Sequence, residues 1–215
     1  MYSITDMLIG ALISIPGALL AFTIRGWSQA FTADRLGDPT PRNMGRLTMN
    51  PIAHIDIIGF IFILLFGFGW TKPVPVNTRN FKNIKRDNAI FILSGPVACL
   101  LTGFIASFFT ALVFSVSKNN VALDYLYQIL YYTTRICVML AAFYLLPLPG
   151  LDGYNLIANF LPYNAYRQLY KIEKYSMFIF MGFILLTRFT IVGSLIFWPA
   201  NKLIELFFSL WSRIF

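Results

Sequence analysis

Charge is scarce in this chain. Only 12% of its 215 residues are Asp, Glu, Lys or Arg, while 58% are apolar; a soluble domain carries roughly a quarter charged residues. That balance excludes a water-soluble globular protein and predicts one integral membrane domain. The formal charge of +8 does not point to nucleic acid, because the charges are too few and the polar surface too small. In a membrane protein a basic excess marks cytoplasmic loops. Cysteine is also rare. Cys99 and Cys137 both fall in apolar runs. They read as buried small residues, or as one pair between two helices, rather than as a disulfide framework or zinc site. There is one histidine, His54. The start of the chain lacks a basic n-region and a small-residue cleavage pattern, so its first apolar segment reads as a retained helix. No internal repeat or low-complexity tract is present.

Long apolar runs are what the chain has in abundance. Met7 to Phe31, Ala89 to Val116, Tyr125 to Leu146 and Met177 to Trp198 are each long enough to span a bilayer. Pro16 should kink the first. Ile57 to Trp70 is apolar but short, a length more often re-entrant or interfacial than spanning. Gly59, Gly67 and Gly69 allow it to dip in and return, although the sequence leaves open whether it spans. Such a backbone survives at membrane depth only where protein covers it. The stretch from Pro147 to Lys174 is polar. From Pro199 to Phe215 the chain is too short to span, and its polar residues share one helical face, so it should lie in the interface.

The first span ends in AFTIRGWSQAFTADRLGD, Ala21 to Asp38, which places Arg25 and Gln29 one helical turn apart. A charged residue in an apolar helix is costly and marks a functional-site candidate. The alternative is an arginine near enough to the helix end to snorkel into the headgroups. Arg135 and Arg188 also fall inside spans. They either make the interior electropositive enough to seek an anion or serve as local carbonyl caps and subunit contacts.

A re-entrant 57–70 segment places loops 32–50, 71–87 and 147–174 on one side. Those loops hold eleven Lys/Arg, whereas the opposite side before the tail holds only Asp6, Lys118 and Asp124. This positive-inside asymmetry predicts that the three basic loops are cytoplasmic. It also brings Arg25, Gln29 and Asp152 to one depth.

Several stretches then align in order with a known family. Ala21-Phe-Thr-Ile-Arg25-Gly26-Trp-Ser-Gln29-Ala30 and Leu36-Gly-Asp-Pro39 are followed by GRLTMNPIAHID (Gly45 to Asp56), KPVPVN (Lys72 to Asn77) and NFKNIKRD (Asn80 to Asp87). Gly95-Pro96 and LPLPGLDG (Leu146 to Gly153) complete the set. This pattern resembles the small bacterial branch of the site-2 protease family of intramembrane zinc metalloproteases. There the first motif reads A-x-T-x-H-E-x-x-H-A-x-x-A-x-x-L-G-D-P, and the Asp of an L-D-G motif is the third zinc ligand. The resemblance covers roughly residues 20–160. It implies an all-α membrane protein with a site-2-protease-like helical core over 7–161, a re-entrant segment and about four to five transmembrane helices. Residues 175–215 would add a further span and a C-terminal interfacial helix.

The departures fall on the chemistry. Arg25 matches the family's first zinc histidine, Gly26 its catalytic glutamate and Gln29 its second zinc histidine; of the ligands only Asp152 is kept. Tyr144 stands where the family often has asparagine, and Gly150 where it usually has proline. Asn50, His54 and Tyr144 are candidate supporting positions. A catalytic zinc needs three protein ligands and an open water position, and a neighbouring carboxylate takes the proton from the metal-bound water. Arginine stays protonated and cannot ligate, and Gly26 cannot act as a base. The residues therefore predict no catalytic residue, metal or cofactor. Instead they predict an Arg25–Asp152 ion pair, with Gln29 and His54 meeting the remaining hydrogen bonds. The alternative turns Arg25 to the interface and leaves Asp152 to cap the following helix.

Three functions follow. The first is an inactive protease relative in the bacterial cell membrane that binds or regulates a transmembrane client or an active relative. The second is an intramembrane metalloendopeptidase with a rearranged site. The third is a small anion-handling or channel-like membrane protein.

Overall fold

The computed structural model describes residues 4–66, 69–117 and 120–214; Gly67 and Lys118 lie outside the described residues, as does the Arg188 side chain. The protein is an all-α membrane protein, with no strand among the described residues. Among the described residues, three helices are long and apolar enough to cross a bilayer. These are α1 (Ile4–Arg35), α4 (Ile84–Val116) and α5 (Val121–Tyr144), with two short helices between the first two, α2 (Thr40–Asn43) and α3 (Ile57–Phe66).

Local chemistry sets the helix starts. Asn83 opens α4 by accepting from Arg86 N–H through its side chain while its own N–H donates to Asp87, a reciprocal cap. Asn120 opens α5 by accepting from the N–H groups of Ala122 and Leu123. In α1 the helix runs through Pro16 as one element.

α1, α4 and α5 pack on one another around Ala18, Ala21, Phe22, Cys99, Cys137, Leu140, Ala141 and Phe143, all buried. Cys99 and Cys137 are free thiols within this core.

The 57–70 segment enters and leaves at the same end. Ile55 pairs antiparallel with Thr71, and Lys72 N–H donates to the His54 carbonyl at 2.9 Å. Gly59 and Gly69 make the close return feasible, since a Cβ on either would overlap main-chain atoms of the other limb. The segment is therefore a hairpin with α3 as its inward limb, covered by α1 and by Phe180 against Trp70.

Beyond α5 the polar stretch forms α6 (Asp152–Phe160) and α7 (Tyr163–Glu173). The single helix expected over Met177–Trp198 is instead divided into α8 (Ser176–Phe189) and α9 (Val192–Trp211), bent by 81° at their junction. The boundary expected at Pro199 is absent because that proline lies inside α9, which continues along α4 and α5. Ala200 and Ile204 pack with Val138, and Trp211 packs on Phe104 and Phe108 and donates to Ser107 at 2.9 Å. Burial of that face offsets the one hydrogen bond proline removes.

Candidate functional site

α1 carries Arg25 and Gln29 into the contact between α4, α5 and the returning limb of the hairpin. Arg25 is 4% exposed. One guanidinium nitrogen donates to Asp152 Oδ2 at 2.6 Å and the other to Thr71 Oγ1 at 2.7 Å. The guanidinium carbon lies 3.4 Å from the centre of the Tyr144 ring, so the cation is held by a carboxylate, a hydroxyl and an aromatic face together. Its Nε is buried without a hydrogen-bond partner. Tyr144 in turn accepts from Thr71 N–H at 2.7 Å.

Gln29 is also buried, with its amide nitrogen 3.5 Å from both Asp152 Oδ2 and the Ile92 carbonyl. These contacts are long and weak. Gly95 lets α4 approach this closely: a Cβ there would stand 3.1 Å from side-chain carbons of both Arg25 and Gln29.

Asp152 reaches the site because the chain turns sharply after α5. Gly150 adopts φ +92°, which favours glycine. Asp152 begins α6 without a side-chain cap; its carboxylate faces Arg25 instead.

His54 does not join this network, contrary to the sequence expectation. It is fully buried, and its Nε2 donates to the Thr48 carbonyl at 2.8 Å. Burial, reinforced by the nearby Arg46 cation, holds its pKa below the usual histidine range. The ring lies instead against Gly26, where an added Cβ would overlap Nδ1 and approach Cγ to 2.8 Å. Asn50 is also elsewhere: it is exposed, and its side chain caps the 3-10 turn Pro51–Ala53 by accepting from Ile52 N–H.

Two further side chains fix the loops around the site. Arg46, read from the sequence as a loop cation, is buried and donates to the carbonyls of Ala53, Lys72 and Pro73. It ties the His54 turn to the returning hairpin limb. Asp38 is fully buried and accepts from Thr40, from Asn77 N–H and from the Asn80 amide. Burial pushes its carboxyl up, but these hydrogen bonds outweigh that and hold it below the usual range.

The sequence missed Thr71 as a partner of Arg25. Its only signal was its place next to KPVPVN, where the short apolar segment returns.

A zinc ion does not fit this donor set. The one carboxylate is engaged by a guanidinium, and positions 25 and 29 offer arginine and a primary amide. Nor is there, among the described residues, a group of three His, Cys, Asp or Glu placed to hold a metal.

On the outer side of α1, Leu19, Leu20, Thr23 and Ile24 with Met49 and Pro51 line an open groove of about 370 Å³.

No family profile matches the chain, and no solved structure does. Two curated proteins are similar to it. One, from Bacillus subtilis (strain 168), is named "Putative zinc metalloprotease YwhC" and is 34% identical over 203 residues, 92% of this chain and 90% of that protein. The other, from Mycolicibacterium smegmatis, is named "Putative zinc metalloprotease Rip2" and is 27% identical over 175 residues, 77% of this chain and 63% of that protein. The extent of the first match shows that the chain belongs to the site-2 protease-like family of zinc metalloproteases, with Arg25, Gly26 and Gln29 standing in its H-E-x-x-H motif.

Proposed function

We propose that this chain is a catalytically inactive family member that binds a membrane-embedded client or regulates an active relative. The observation that carries the reading is the 2.6 Å contact between Arg25 and Asp152. It puts a fixed cation on the only acidic member of the family's ligand set, so the helix-to-helix cross-link persists without a Lewis acid. The site also lacks a base, because Gly26 has no side chain and the His54 ring lies over it.

The chain nonetheless keeps the re-entrant hairpin and the KPVPVN limb, which a purely structural remnant would not need. In this reading the protein sits in the bacterial cell membrane with basic loops 32–50, 71–87 and 147–174 on the cytoplasmic side. The competing reading, an active intramembrane peptidase, draws its support from the relatives' names.

The test is metal analysis of protein purified from native membranes, together with incubation with a membrane-embedded test substrate. The expected result is no stoichiometric zinc and no cleavage. Either zinc bound at Asp152 or chelator-sensitive cleavage overturns the reading. Crosslinking and pull-down from the same membranes, comparing wild type with Arg25→Ala, should return a partner set that changes with Arg25.

A further inference from the structure

Among the described residues, Arg135 on α5 and Lys202 and Glu205 on α9 carry charge on the outer surface of these helices. Arg135 is exposed, although its α5 neighbours Thr133, Thr134, Ile136, Cys137 and Val138 are buried. At roughly 1.5 Å per residue it lies about 13 Å from the end of α5 and about 21 Å from its start. That is close to the centre of a hydrocarbon layer about 30 Å thick. Among the described residues it meets the Tyr131 hydroxyl at 3.2 Å and no carboxylate.

On α9, Lys202 and Glu205 pair at 2.6 Å with side chains 54% and 63% exposed. α9 runs antiparallel along α5: Ala200 and Ile204 pack with Val138, and Phe208 stacks on Tyr131 at 5.6 Å. Glu205, next to Ile204, is therefore level with Arg135. Charged groups inside a bilayer almost always face protein or water, and here they face outward.

We propose that the α5–α9 face is an interface between two copies of this chain, in which Arg135 of each copy pairs with Glu205 of the other. A two-fold axis along the membrane normal preserves depth and makes contacts reciprocal. It therefore requires opposite charges at one level on one face, and Arg135 with Glu205 meets that requirement. A lipid phosphate is a poorer partner, because it lies at the membrane surface and Arg135 is near the midplane. In the pair, Glu205 keeps Lys202 and gains a second cation, while Arg135 keeps the Tyr131 hydroxyl. The inference is independent of whether the family's chemistry survives.

The test uses the full chain, co-expressed with two different affinity tags and recovered in nanodiscs of phosphatidylcholine, with or without anionic phosphatidylglycerol. One tag should co-purify the other in both lipids. Arg135→Glu and Glu205→Arg should each abolish co-purification, and their combination should restore it. Charge reversal can impair insertion, so Arg135→Gln and Glu205→Gln are measured alongside, with helical content by circular dichroism. Each should lose the second tag while keeping wild-type helicity. The proposal is overturned if the wild type does not co-purify, or if both neutral variants still do. Pairing that appears only with anionic lipid would overturn it, as would capture of a different protein through this face. So would a well-folded double reversal that stays monomeric.

Discussion

The His54 ring occupies the space above Gly26 so fully that a side chain at position 26 would overlap it. The two residues therefore form one unit: glycine makes room for the imidazole, and the imidazole closes the room a glutamate would need. Gly26→Ala should destabilise the protein by about 1–3 kcal/mol through overpacking. The double variant Gly26→Ala with His54→Ala should recover part of that loss. Thermal unfolding in detergent micelles, read by circular dichroism, checks both. Equal stability of wild type and Gly26→Ala would show that the ring yields freely.

Restoring the family motif at three positions should accordingly fail. Arg25→His, Gly26→Glu and Gln29→His together supply two ligands and a base, yet His54 blocks the glutamate. Cleavage of a membrane-embedded test substrate after zinc loading should remain absent, and should appear when His54→Ala is added. Cleavage by the triple variant alone would refute the blocking role.

The buried pair makes a sharper stability prediction. Removing one partner, as in Asp152→Ala or Arg25→Ala, strands a charge inside the protein and should cost about 3–5 kcal/mol. Combining Arg25→Ala with Asp152→Ala removes the stranded charge, so the double variant should lose much less than the sum of the two single losses. Urea or thermal unfolding of all four chains completes the cycle. Additive losses would mean that the contact contributes nothing as a pair.

Much of this is legible in the sequence. Arg25 in an apolar run and Asp152 in a matching L-D-G frame announce a pair because each lacks another partner in its own segment. The hairpin was legible as one of two readings: the shortness of the apolar run at 57–70 and the loop charges favour a re-entrant segment, while the sequence leaves open whether it spans. Other features were hidden for physical reasons. Thr71 offers a hydroxyl that thousands of surface threonines also offer, and only the return of the hairpin brings it to Arg25. Arg46 looks like any loop cation; its burial depends on the Ala53 carbonyl and on those of Lys72 and Pro73, which only the return of the hairpin brings to it. The extent of α9 was obscured because Pro199 is a strong helix-breaking signal. Tertiary packing of Ala200, Ile204 and Trp211 overrides it.

Tyr144 separates two contributions within the site. Tyr144→Phe keeps an aromatic face beneath the guanidinium but removes the acceptor for Thr71 N–H. A buried donor left unsatisfied costs about 1–3 kcal/mol, so a loss of that size is expected from unfolding measurements. Tyr144→Leu should lose more, because the cation then also loses its aromatic face. Equal losses in the two variants would mean that the ring face contributes little.

Acid should weaken the fold in two stages, both outside the spans. His54 is held neutral by burial, its folded pKa lying below the unfolded value of about 6.5. Its contribution is full above that value and is lost as pH falls through the folded pKa, because the unfolded state takes up the proton first. Asp38 follows the same sign lower on the scale. Burial raises its pKa, the hydrogen bonds from Thr40, Asn77 and Asn80 lower it further, and the net value is below the unfolded value of about 4. Its contribution persists through mild acid and disappears only as pH falls below that value. Unfolding temperatures from pH 8 to pH 3 should therefore decline first below about pH 6.5 and again below about pH 4. His54→Gln should remove the first decline and Asp38→Asn the second, each at a lower overall stability. A His54→Gln profile with the first decline intact would assign that stage to another group.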